Sequence, residues 1–144
     1  VGSLEIGSGV SCTSNGEYIT ITTSTSGEKY VELPVVLPSD FEFSVEVAEI
    51  GINNLYAWEI NKGQAYGYGS SIQGANLGNG TQSISNPTVK GSILLIKCQN
   101  GTTTVYCDGN TINSRNITFT NKTIGFYTNN GRVQHLKNIM LKPL

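Results

Sequence analysis

The sequence predicts an all-β protein built as a sandwich of two antiparallel sheets, and three observations carry that prediction. First, the run 92–112 contains two tight-turn signals, Asn100-Gly101 and Asp108-Gly109, each followed by alternating apolar residues. Such dipeptides supply the positive φ angles of type I′ turns, whose twist matches the strands they join. Second, strand-like segments punctuated by Gly, Pro and Asn recur every ten to fifteen residues, roughly, along the chain. Third, no window sustains an i, i+3, i+4, i+7 apolar pattern, while glycine and β-branched residues, both poor helix formers, are abundant.

Taken in order, residues 18–22 alternate after an Asn15-Gly16 turn, and residues 29–33 form a short strand closed by Pro34 and Pro38. Phe41, Phe43, Val45 and Val47 alternate with Glu42, Ser44, Glu46 and Ala48, a strand with one apolar face. Residues 55–60 and 65–72 follow, separated by Asn61-Lys62-Gly63-Gln64, and 74–87 is the segment expected to be least ordered. Residues 92–98, 103–107 and 110–114 read as three neighbouring antiparallel strands. A two-residue turn at Asn100-Gly101 sets Cys98 opposite Thr103, Ile96 opposite Val105 and Leu94 opposite Cys107. Strands over 116–120, 123–127 and 136–142 complete the set. The expected core holds Phe41, Phe43, Val45, Leu94, Ile96, Val105, Ile124 and Phe126.

At 144 residues and 15.4 kDa the chain is expected to form a single domain over 1–144. A domain of that size buries about 70% of the surface its unfolded form exposes. The Val1-Gly2-Ser3 opening reads as a fragment excised from a larger surface or virion protein. The longest aliphatic run, Ile93 to Ile96, is far shorter than a membrane span of about 20 residues. Nine basic and ten acidic residues are scattered singly, with no stripe to neutralise phosphates, so neither membrane nor nucleic acid is an expected partner. Only 13% of residues are charged, and the polarity comes from Ser, Thr, Asn and Gly. Such surfaces are common on extracellular and virion proteins, and an extracellular or virion-surface location is the expectation.

Three cysteines, an odd number, argue against a disulfide framework. In the register above Cys98 and Cys107 lie more than ~10 Å apart along the strands, beyond disulfide reach. Cys12 could pair with either, and free buried thiols are the favoured reading. With His135 they contain no CxxC or HxxxH element, so no structural metal and no cofactor are expected.

From Phe41 onward the order of motifs resembles the concanavalin A-like lectin/glucanase superfamily, in particular its laminin-G-like and phage-borne carbohydrate-binding branches. The resemblance rests on the Phe41-Glu42-Phe43-Ser44-Val45-Glu46-Val47 strand and on Thr104-Val105-Tyr106-Cys107-Asp108-Gly109-Asn110, similar to a recurrent Tyr-x-Asp-Gly hairpin. It rests also on Thr123-Ile124-Gly125-Phe126-Tyr127, with Gly131 and the closing strand Leu136-Lys137-Asn138-Ile139-Met140-Leu141. These motifs span about 100 of the 144 residues. The resemblance implies a jelly roll of two antiparallel sheets, one of them concave and often used for glycan.

Retaining glycosidases of that fold carry a Glu-x-Asp-x-x-Glu arrangement, because the two carboxylates must flank the sugar bond about 5 Å apart. This chain has two aspartates, Asp40 and Asp108, and no such pattern. Glu42 and Glu46 share a strand face but lie roughly 13 Å apart. No Gly-x-Ser-x-Gly elbow accompanies the single histidine. The chain is therefore expected not to be an enzyme. Asn79-Gly80-Thr81, Asn100-Gly101-Thr102, Asn116-Ile117-Thr118 and Asn121-Lys122-Thr123 match the glycosylation sequon, as chance allows in a chain this rich in Asn and Thr. The scarcity of aspartate argues against a carboxylate-rich calcium cage.

The aromatic segment offers a binding site. Trp58, Tyr66 and Tyr68 could stack on the apolar face of a sugar ring, with Asn61 and Gln64 bonding its hydroxyls. The same residues also fit a Trp58 core anchor with strand-forming tyrosines. The expected function is a non-catalytic carbohydrate-binding module of a phage tail, baseplate adhesin or cell-surface protein, with a cell-surface polysaccharide and the parent's flanking domains as partners. The alternative is a structural or assembly domain with no glycan ligand.

Overall fold

The computed structural model describes residues 5–6, 10–23, 28–52, 57–60, 67–68, 74–83, 89–129, 131 and 133–144. In chain order the strands are β1 (Glu5–Ile6), β2 (Val10–Ser14), β3 (Ile19–Thr23), β4 (Glu28–Val36) and β5 (Phe41–Ile52). They continue as β6 (Ala57–Ile60), β7 (Gly67–Tyr68), β8 (Gly74–Asn76), β9 (Thr81–Ser83) and β10 (Ile93–Gln99). Last come β11 (Thr102–Cys107), β12 (Asn110–Arg115), β13 (Thr123–Asn129) and β14 (Val133–Pro143). Every pairing is antiparallel, in two seven-stranded sheets: β1-β4-β13-β6-β7-β8-β9 and β12-β11-β10-β5-β14-β3-β2. Among the described residues there is no helix.

The β10–β11–β12 meander forms as its turn chemistry dictates. Asn100 and Gly101 sit at φ 53° and 81°, and Asp108 and Gly109 at 50° and 80°, the left-handed values a type I′ turn needs. The register follows: Cys98 faces Thr103, Ile96 faces Val105 and Leu94 faces Cys107. Alternation then drives Leu94, Ile96, Cys98, Val105 and Cys107 to one side, where they meet Phe41, Phe43 and Val45 of β5. All eight core residues expected from the sequence are buried. Phe43 of one sheet and Phe126 of the other pack with ring centroids 6.4 Å apart, joining the two layers.

Three local expectations need correction. Strand β4 does not stop at Pro34 but runs through it to Val36. Pro34 falls where the β4–β13 register shifts, between Thr123↔Val36 and Gly125↔Glu32, so its missing N–H interrupts no regular ladder. Residues 117–119 form no strand, because this stretch crosses from one sheet to the other and delivers Phe119 to the core. Its backbone is satisfied locally: Ile117 N donates to Arg115 O (3.0 Å), and Ile117 O accepts from Thr103 Oγ1 (2.8 Å).

The turn expected at Asn15-Gly16 is present as a four-residue loop with Gly16 at φ 87°, since Ser14 pairs with Ile19. Asn15 Oδ1 accepts from the amides of Glu17 and Tyr18, both at 2.9 Å, an Asx turn. Third, the 74–83 part of the segment expected to be least ordered is a hairpin, β8–β9, tied across the sandwich. Asn79 and Asn113 exchange reciprocal bonds (Asn79 Nδ2 to Asn113 Oδ1, 3.0 Å; Asn113 Nδ2 to Asn79 Oδ1, 2.9 Å). Asn113 Nδ2 also donates to Ala75 O (3.1 Å), and Arg115 Nη1 donates to Leu77 O (2.7 Å). Strand β12 of one sheet thus satisfies the turn of the other.

Candidate functional site

Because β5 sends Phe41, Phe43, Val45 and Val47 inward, Glu42, Ser44 and Glu46 stand on the outer face. Register extends each of these positions into a row across neighbouring strands. The middle row reads Tyr106–Leu95–Ser44–Met140, from β11 through β10 and β5 to β14. Tyr106, Leu95 and Ser44 are half-buried and Met140 is 55% exposed. At a strand spacing of about 4.8 Å the row is some ~14 Å long. On one side runs Thr104–Lys97–Glu42–Lys142, and on the other Ile93–Glu46–Lys137.

Both glutamates that flank the row are paired with lysines of the same flanks. Lys97 Nζ lies 4.0 Å from Glu42 Oε1, and Lys137 Nζ lies 3.3 Å from Glu46 Oε2. Exposed pairs of this kind add at most about 1 kcal/mol to stability; they neutralise Glu42 and Glu46, and Lys142 adds one further positive charge at the end of the first flank. Hydroxyls stand next to Tyr106 on the same face: Thr104 Oγ1 and Ser114 Oγ lie 3.0 Å apart. An aromatic ring and two aliphatic side chains in line, edged by hydroxyls, suit a ligand with apolar C–H faces and a hydroxylated rim. Tyr106 belongs to the quoted hairpin motif but reads there as part of a turn signature. The signal that finds it is alternation, since Val105 and Cys107 on either side of it point inward.

Of the residues expected from the sequence to bind, Asn61, Gln64 and Tyr66 lie outside the described residues, and Trp58 and Tyr68 are described by their strand register. That register brings Trp58 and Tyr68 together as direct partners and extends the row to Phe126 on one side and Ala75 on the other. Both ends of this row are buried.

The single histidine is part of a polar cluster on the outer side of β14. His135 Nδ1 lies 3.0 Å from Thr20 Oγ1, and the Tyr18 ring stands edge-on to the imidazole at 5.7 Å. A hydrogen bond from the Tyr18 hydroxyl to Glu49 holds the phenol above the ordinary tyrosine range, with burial adding to the shift. Cys12, Cys98 and Cys107 are free thiols, and burial pushes the Cys12 thiol up, away from reactive thiolate. Among the described residues no three His, Cys, Asp or Glu side chains group as metal ligands.

No protein-family model matches the chain, and no curated protein matches it. Solved structures do. The carbohydrate-binding module CBM66 from Bacillus subtilis superposes with a TM-score of 0.64 at 11% identity, over 96% of this chain and 94% of its own. The alginate lyase AlgAT5 of polysaccharide lyase family 7 superposes at 0.51 and 10% identity, over 94% of this chain and 82% of its own. The fold is thus the concanavalin A-like lectin/glucanase type of β-sandwich, as the sequence motifs imply.

Proposed function

We propose that this chain is a non-catalytic carbohydrate-binding module, which holds glycan on the outer face of the β12-β11-β10-β5-β14-β3-β2 sheet. The observation that carries the reading is the Tyr106–Leu95–Ser44–Met140 row, a largely apolar strip with hydroxyls along its edge and with Glu42 and Glu46 beside it each neutralised by a lysine. A sugar ring placed on Tyr106 and Leu95 would be oriented by Thr104, Ser114 and the ion-paired side chains. The end-to-end structural likeness to a carbohydrate-binding module supports the same reading, although fold alone does not assign function.

The non-catalytic part draws on the carboxylates of this face. Glu42 and Glu46 each face a lysine and stand four residues apart on one strand, roughly 13 Å, too far to flank one glycosidic bond. The competing location within the same function is the set expected from the sequence, Trp58, Tyr66 and Tyr68 with Asn61 and Gln64. The parent would be an extracellular or virion surface protein, such as a phage tail or baseplate adhesin, which the weakly charged Ser/Thr/Asn-rich composition favours.

A broad glycan array probed with the isolated domain tests this directly. Binding to a defined glycan class, lost in Tyr106→Ala and kept in Tyr66→Ala and Tyr68→Ala, supports the outer face. The reverse pattern moves the site to the aromatic segment. Silence across the array together with concentration-dependent self-association would favour an assembly domain. Release of unsaturated products from alginate, followed by ultraviolet absorbance, would refute the non-catalytic reading.

A further inference from the structure

The loop between β2 and β3 and the middle of β14 line an open hollow of about 220 Å³, which adjoins the Met140 end of the Tyr106 row and shares Lys137 with its flank. Its lining includes Ser14, Glu17, Tyr18, Lys137 and Asn138. We propose that this hollow is a second saccharide site, which takes one neutral sugar unit such as a chain end; the ligand class rests on the glycan-binding reading above.

The argument begins with the backbone of β14. From Lys137 to Met140 this strand advances three residues while β5 advances two, from Glu46 to Ser44, so β14 carries a bulge. Asn138, inside the bulge, sits at φ 51°, a left-handed conformation that non-glycine residues adopt at a cost and that asparagine tolerates best. Bulges re-aim side chains, and they gather beside binding sites. An outlier of this kind is a reason to look for function.

What the bulge presents is held in place on both sides. Asn138 Nδ2 donates to Glu46 Oε1 (3.1 Å), and Lys137 Nζ meets the other oxygen of the same carboxylate at 3.3 Å. Across the hollow, the Asx turn of Asn15 fixes Glu17 and Tyr18, and Tyr18 is further braced by His135 and Glu49. Tyr18, Asn138 and Lys137 therefore line one small space with side chains already held, so little of their rotamer entropy is left to lose, and Glu17 adds an exposed carboxylate.

The chemistry of the lining selects the ligand. Lys137 is neutralised by Glu46, so the charge of Glu17 remains in the lining and disfavours an anionic sugar. The lining offers donors (Ser14, Lys137) and acceptors (Glu17, Asn138) beside the Tyr18 ring, which is what a polyol needs and a simple apolar ligand does not. The volume is below the usual ~300–1,000 Å³ of small-molecule pockets, enough for one sugar ring and too small for a stretch of chain.

The experiment is a titration of ¹⁵N-labelled protein with a panel of methyl α- and β-glycosides of neutral hexoses, followed by NMR. The proposal expects saturable shifts at residues 14–19 and 136–139. Tyr18→Ala and Asn138→Gly should abolish them, the latter because it keeps the left-handed backbone and removes the carboxamide, while Tyr106→Ala leaves them in place. Shifts confined to the Tyr106 row would overturn the second site and leave the glycan-binding reading intact. Shifts at the hollow alone would uphold this site and move the binding function to it. No saturable shift at the hollow with any glycoside, or shifts there unchanged in Asn138→Gly and Tyr18→Ala, would refute it.

Discussion

Replacing Asn113 by alanine removes the side chain that ties the two sheets together at the β8–β9 end. Asn113 is 6% exposed and makes three hydrogen bonds, one to Ala75 O and two with Asn79. At about 1 kcal/mol net per bond, the expected cost of losing them is about 3 kcal/mol. Asn79→Ala removes only the two reciprocal bonds at an exposed position, an expected cost of about 1–2 kcal/mol. In the double variant those two bonds can be lost only once, so the cycle should show a coupling of about 1–2 kcal/mol. Urea denaturation is the assay, with the m-value unchanged in all variants. For a chain of this size Asn113→Ala should lower Tm by about 6–12 °C. Additivity of the two substitutions to within about 0.3 kcal/mol would refute the clasp.

Three further outcomes are expected. Trp58→Ala separates the two readings of that residue: a loss of about 3–5 kcal/mol of stability marks a core anchor, and a near-normal melt with lost glycan binding places the stacking site there. In native protein all three thiols should resist alkylation, Cys12 least, and all should be labelled once unfolded; a linked Cys98–Cys107 peptide would contradict the register. The raised Tyr18 pKa means the folded state holds the phenol proton more tightly than the unfolded state, so its contribution is full below about pH 10 and is lost as pH rises through the higher folded value. Tyr18→Phe should therefore flatten stability against pH in that alkaline window, and an unchanged profile would show that the Glu49 bond is not made.

Much of the fold was legible because its signals are local. Asn100-Gly101 and Asp108-Gly109 demand left-handed backbone, and strict alternation around them leaves one register that buries Leu94, Ile96 and Val105 together. Where the deciding partner is distant in sequence, local signals fail. Pro34 looks like a strand terminator until the β13 register shift opposite it is seen. The Gly- and Asn-rich residues 76–80 look unstructured until Asn113 and Arg115 arrive from the other sheet. Residues 116–120 have strand-like composition, yet they serve as the crossing between layers. The site was harder. The sequence draws attention to clustered aromatics such as Trp58, Tyr66 and Tyr68, whereas a cross-strand row takes one residue from each of four strands. Tyr106, Leu95, Ser44 and Met140 become neighbours only once three registers are known.

The most direct test of a glycan-binding outer face is calorimetric titration of the strongest array ligand into wild type and Tyr106→Ala, with a thermal melt of each. Tyr106 is half-buried on the outer face and belongs to no core cluster, so its removal should leave Tm nearly unchanged. Affinity should fall by an amount worth about 1–3 kcal/mol, the scale of burying such a side chain, or about 5- to 150-fold. Equal affinity of wild type and Tyr106→Ala for that ligand would contradict the account.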